Sequence, residues 1–183
     1  MLSDTLIAAI NVMGQDKDIY QCLSWGGQSS WGMLKEDIIK LASLPASANH
    51  GWKRILYEGE KMPHPDNRRY TAYGYRNLAI YAATAGRSFA NPIYDLSAML
   101  GRETDPQVLT EIIGCILEVL GLRIYSLSYE AEKHPETFAK FSQIIREHFA
   151  HISEVVAKSD ELFGKPIRAI LEIVGNFERR ASI

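Results

Sequence analysis

The chain has 183 residues, 46% of them hydrophobic, 10% aromatic and 23% charged, proportions that exclude a disordered or fibrous polypeptide and fit one ordinary globular domain. At this length folding removes roughly 70% of the extended chain's surface from water, so the core needs no disulfide or metal to hold it. With 20 basic and 22 acidic side chains the formal net charge is −2, and an isoelectric point of 6.2 excludes a uniformly basic nucleic-acid-binding domain.

Apolar residues recur at helical spacing almost throughout, and no stretch has the β-branched, period-two alternation of a strand. Ser3-Asp4 caps a first helix that carries Leu6, Ile7, Ile10 and Met13 on one face, and Gly14 stops it. A short second helix holds Ile19, Cys22 and Leu23 and dissolves in the glycine-rich run from Trp25 to Ser30. That run, ending in Trp31, is a connector or a docking loop. Ser30 caps a third helix with Leu34, Ile38 and Leu41 inward, closed by Leu44-Pro45. A fourth, about 46–59, packs Trp52 and Leu56 inward before the loop from Met62 to Asn67.

The fifth helix, about 67–85, sets small residues Ala72, Ala79 and Ala82 on one face, where a neighbour can approach closely. Asn91-Pro92 and Asp105-Pro106 each pair a capping side chain with a proline at the first helical position, the clearest helix starts in the chain. From Val108 to Leu127 apolar residues occupy nearly every side, which predicts a central helix buried all round. His134-Pro135 breaks it, and Phe138, Phe141, Ile145, Phe149, Ile152 and Val156 form the stripe of the next helix. Gly164-Lys165-Pro166 introduces a last helix with Ile167, Ile170, Leu171, Val174 and Phe177. No repeat or long linker divides the chain. The predicted architecture is an all-α single helical domain over residues 1–183, a compact bundle of about seven to nine helices with a buried central helix at 108–127.

Cys22 and Cys115 lie in apolar segments without a Cys-x-x-Cys spacing and read as buried thiols in a reducing compartment. No basic leader opens the chain and no apolar run reaches the roughly 18 residues of a membrane span, so a cytoplasmic location away from membranes is expected.

Charge is uneven along the chain. Residues 1–50 hold 3 basic and 5 acidic side chains, residues 51–102 hold 8 and 4, and residues 103–183 hold 9 and 13, so the cations concentrate in the middle. There Lys53, Arg54, Lys61, Arg68, Arg69, Arg76 and Arg87 are interleaved with Trp52, Tyr57, Tyr70, Tyr73, Tyr75, Tyr81 and Phe89. Arg69, Tyr73 and Arg76 fall at i, i+4 and i+7, turned away from the alanine face. Guanidinium forks bind two phosphate oxygens at once, and rings between cations stack on unpaired bases. Nucleic-acid contact through Lys53, Arg54, Lys61, Arg68, Arg69, Arg76 and Arg87, with stacking by Tyr70 and Tyr73, is the expectation. The bland alternatives are half-buried tyrosines with wet hydroxyls and arginines covering apolar surface with their stems.

Catalytic constellations are sparse. The serines lack a Gly-x-Ser-x-Gly context, the cysteines have no adjacent base, and no glycine-rich loop follows a strand to hold phosphates. His148 and His151 stand near Glu147 and Glu154, yet without the His-Glu-x-x-His or Glu-x-x-His spacing of helical metal sites, so neither metal nor cofactor is expected. His148, beside the Phe141–Ile145–Ile152 stripe, reads as a hydrogen-bonded histidine at the core edge, and His151 as part of a solvated face with Glu147, Glu154 and Lys158. Arg146 to His151 contains Arg-x4-His, which resembles the short motif of HEPN-type helical ribonucleases; the residue after the arginine, usually asparagine there, is Glu147. Positions five apart on one helix point about 140° apart, so such a site needs a partner chain to complete it.

In size, helicity and its Lys53 to Arg87 block the chain resembles the small helical subunits of CRISPR effector complexes. That resemblance implies a non-enzymatic component that contacts RNA or single-stranded DNA backbone without reading sequence, beside other protein subunits or copies of itself. A protein-binding adaptor, chaperone or immunity protein is the rival from another class, and a HEPN-like ribonuclease the third.

Overall fold

The computed structural model describes residues 56–57, 59–84 and 92–181. The helices expected over 3–13, 16–23 and 30–44, most of the one at 46–59, Cys22 and the Trp25–Trp31 segment lie outside the described residues. Among the described residues the fold is all-α. Seven α-helices and one 3-10 turn occur, with no strand: α1 (Pro65–Thr84), α2 (Pro92–Leu100), α3 (Pro106–Val119), the turn Ile124–Ser126, α4 (Leu127–Lys133), α5 (Pro135–Glu147), α6 (Phe149–Lys158) and α7 (Glu161–Ala181). The chain divides into two compact units between Leu96 and Ser97. None of these helices is long and apolar enough to cross a membrane.

In the first unit α1 starts at Pro65, two residues earlier than the sequence pattern placed it. His64 closes the turn before it: its carbonyl accepts from the backbone N–H of Asn67 at 3.1 Å, and its Nδ1 accepts from the backbone N–H of Asp66 at 3.2 Å. Proline at the first helical position loses nothing, because that N–H has no intrahelical acceptor.

The second unit is built around α7. Its Ile167, Ile170 and Val174 are buried at spacings of three and four, and it packs on α3, α4, α5 and α6. Phe138 of α5 is fully buried and meets Phe141 edge-on at 5.6 Å and Phe177 of α7 at 4.7 Å. Helix α3 starts where expected: the Asp105 carboxylate accepts from the backbone N–H groups of Gln107 (2.9 Å) and Val108 (3.0 Å), with Pro106 next in line. Seven of its residues, Val108 to Leu117, are buried, Cys115 among them, whereas Gln107 and Glu118 are exposed, so burial covers a wide arc rather than the whole circumference.

Three further boundaries differ from the sequence reading. The central helix does not run to Leu127. It stops at Val119 because Gly121 takes φ +76°, a region glycine enters without steric cost, and the N–H groups of Gly121 and Leu122 close back on the carbonyls of Glu118 (3.0 Å) and Leu117 (2.8 Å). The stripe from Phe138 to Val156 is two helices, broken at His148, so Phe149 is exposed rather than inward. Helix α7 begins at Glu161, before Gly164, with Pro166 inside it. The Asp160 carbonyl accepts from Phe163 (3.1 Å) and Gly164 (2.9 Å), starting the helix without help from the proline. The Arg168 guanidinium crosses Gly164 to reach Glu161 at 2.6 Å, a path a Cβ at Gly164 would crowd at 2.9 Å.

Two substitutions separate core from cap. Phe138→Ala should lower the unfolding free energy by about 3–5 kcal/mol, and Asp105→Ala by about 1 kcal/mol. Urea denaturation of both variants checks this, and similar small losses would contradict the placement of Phe138.

Candidate nucleic-acid interface

Helix α1 has two unlike faces. Asn67, Thr71, Ala72, Gly74 and Tyr75 are buried, and the Tyr75 hydroxyl donates to Glu60 Oε1 at 2.6 Å. The Thr71 hydroxyl donates to the Asn67 carbonyl at 2.8 Å, which lets a polar residue lie on that inner face. With Asn67, Thr71, Ala72, Gly74 and Tyr75 inward, the 3.6-residue period carries Arg69, Tyr73, Arg76 and Ile80 to the opposite side. The first three are half-buried and Ile80 is exposed.

On that outer face the Arg76 guanidinium lies over the Tyr73 ring, 4.9 Å from its centroid. Arg69 Nη2 is 3.2 Å from Asp66 Oδ1 in the preceding turn. This ion pair is partly solvated and orients the fork more than it stabilises the helix. Arg68 is used differently: Nη1 donates to the carbonyls of Met62 (2.9 Å) and Pro63 (2.7 Å), tying the turn to the helix. Lys61 is exposed, its ammonium 3.8 Å from the Tyr57 ring centroid. Of the residues predicted from the sequence, α1 therefore brings Arg69, Tyr73 and Arg76 onto one face, and Arg68 and Lys61 are held beside the turn at its start. Tyr70 belongs to the same helix, its side chain outside the described ones. Lys53, Arg54 and Arg87 lie outside the described residues.

The histidines of the second unit occupy different places. His148 sits at the break between α5 and α6, with Nε2 2.9 Å from Ser97 Oγ and its ring against Gly101, where an added Cβ would come within 2.7 Å of Nδ1. It is the core-edge histidine the sequence predicted. Burial pushes its pKa below the usual value, the Glu147 carboxylate opposes that shift, and His151 reinforces it.

His151 does not belong to a solvated face with Glu147. The break puts Glu147 on a separate helix, and His151 Nε2–H donates to the Glu103 carbonyl at 2.8 Å, so the ring is half-buried against the turn before α3. The Glu103 carboxylate, itself buried, accepts from the backbone N–H groups of Thr104 (3.0 Å) and Asp105 (2.8 Å), fixing that turn. Glu154 and Lys158 do form an exposed pair at 2.6 Å, and this hydrogen bond holds the Glu154 carboxyl below its ordinary pKa. Arg146 is directed to Glu178 at 3.9 Å, so Arg146 and His151 occupy successive helices with different partners. Among the described residues no three His, Cys, Asp or Glu side chains are grouped to hold a metal ion.

One aromatic surface was missed in the sequence. Tyr125 and Tyr129 are exposed on the turn and helix that follow Gly121. Reading 108–127 as one buried helix hid them, although Gly121 and two tyrosines four apart were the available signal. No protein family, no curated protein and no solved structure matches the chain.

The depressed His148 value carries a sign. The unfolded chain takes up this proton at ordinary histidine pH while the folded chain resists it, so the stability present above pH ~6.5 falls as pH drops toward the lowered folded value. His148→Gln should therefore lose less stability than the parent chain between pH 7 and pH 5 in urea titrations. Equal losses in both chains would contradict this.

Proposed function

We propose that the chain is a non-enzymatic helical subunit of a larger nucleoprotein complex, contacting the backbone of RNA or single-stranded DNA without sequence readout through the outer face of α1. The observation that carries this reading is the placement of Arg69, Tyr73 and Arg76 on one side of the helix, with the Arg76 guanidinium laid over the Tyr73 ring at 4.9 Å. A guanidinium held on one face of a ring offers donors to a phosphate, and the ring's other face is the one a neighbouring base would stack on. Arg68 supports the face by fixing the turn at its start.

Two guanidinium groups on a chain of net charge −2 give modest affinity alone, and a subunit present in several copies along one strand gains the rest by avidity. This is the mode of action that the resemblance to small CRISPR effector subunits implies. Lys53, Arg54, Lys61 and Arg87 are further backbone contacts in this reading, and Tyr70 a further stacking ring.

Arg69→Glu combined with Arg76→Glu should weaken binding to a labelled single-stranded oligonucleotide by at least about tenfold in a low-salt gel shift, while Tyr73→Phe keeps the ring and retains most of the affinity. The melting temperature of the double variant should stay within a few degrees of the parent's, and Arg69→Gln with Arg76→Gln should weaken binding in the same direction. Unchanged binding by a folded double variant would overturn the reading.

A further inference from the structure

The segment after α3 carries cations and rings in one short stretch. Tyr125 lies in the 3-10 turn and Tyr129 in α4, four residues on, and they are 83% and 57% exposed where Tyr75 of α1 is 3% exposed. Ser126, between them, takes φ −127° and ψ 30°, so the two rings project from successive turns of the chain, both into solvent. Lys133, four further on, sets its ammonium 5.7 Å from the Tyr129 centroid, and exposed Arg123 precedes Tyr125 by two residues.

Two carboxylates of α4 are engaged elsewhere. Glu130 is buried, accepting from the Ser126 hydroxyl at 3.3 Å and lying 3.8 Å from His134 Nε2. Glu132 is 3.6 Å from Arg180 of α7. Arg123 and Lys133 enter no ion pair among the described residues. The order along the chain is therefore cation, ring, ring, cation.

We propose that Arg123, Tyr125, Tyr129 and Lys133 form a second single-strand contact surface, in which the two phenol rings stack on unpaired bases and the two cations take the flanking phosphates. Charge complementarity selects this occupant. An acidic protein partner would use the cations and leave two rings in water, and an apolar one would have to strip water from Arg123 and Lys133. A single strand offers bases and phosphates in alternation and satisfies both. The inference rests on reading the chain as a single-strand binder, but it uses a surface separate from α1.

The test is the full chain with a labelled oligouridine carrying 5-iodouridine. Tyr125→Ala with Tyr129→Ala should weaken binding roughly 5- to 150-fold per lost stack, Tyr125→Phe with Tyr129→Phe should bind like the parent, and photo-crosslinks should map to the peptide containing residues 123–133. Both tyrosines are exposed, so the melting temperature of the alanine pair should match the parent's. Unchanged affinity of the alanine pair, with crosslinks confined to α1, overturns this inference and leaves the α1 reading standing; the surface would then belong to a protein partner. Loss of binding in the alanine pair but not in Arg69→Glu with Arg76→Glu supports it and removes the α1 reading. No binding by the parent chain overturns both.

Discussion

The second unit depends on hiding the apolar stripe of α7. Ile167, Ile170 and Val174 are almost wholly withdrawn from water, and four other helices are needed to cover them. Because an amphipathic helix gains its stability from such cover and not from propensity, each of those four must turn back onto α7, and the turns between them fall where that return is made. Gly121, His134-Pro135, His148 and Ser159 mark these places. The Phe138 ring, lodged between Phe141 and Phe177, joins α5 to α7. Its position fixes the face that α5 shows to solvent.

The same constraint applies to α1. A helix that buries Ala72 and Tyr75 turns what lies opposite away from that cover, and opposite are two half-buried arginines with a half-buried tyrosine between them. Their outward placement follows from helical geometry. On that face the Arg76 guanidinium lies over the Tyr73 ring, which orders a cation and a ring together. Arg68, one residue away, donates to the carbonyls of Met62 and Pro63 and serves the local fold.

Local chemistry was legible in the sequence, and long-range choices were not. Asp105-Pro106 and Pro92 start helices as expected because capping and proline geometry are settled within a few residues. The outward direction of Arg69, Tyr73 and Arg76 was legible for a similar reason, since it needs only the helical period and a small-residue face. The break at His148 was not, because no glycine or proline marks it: its ring reaches Ser97, 51 positions earlier, and rests on Gly101. For the same reason His151 was assigned to solvent when its partner is the Glu103 carbonyl, 48 positions away. The run from Val108 to Leu127 misled through composition, since Leu122 and Leu127 are indeed buried, but from a turn and a new helix.

The central claim is that positive side chains of this chain displace counterions from a single-stranded nucleic acid. The most direct measurement is the affinity of the full chain for a single-stranded oligonucleotide across a range of salt concentrations. The account predicts a straight line in a log–log plot, with a slope of at least about −1.4 for the two arginines of α1. An affinity that does not change with salt, or no binding at the lowest salt, would contradict it.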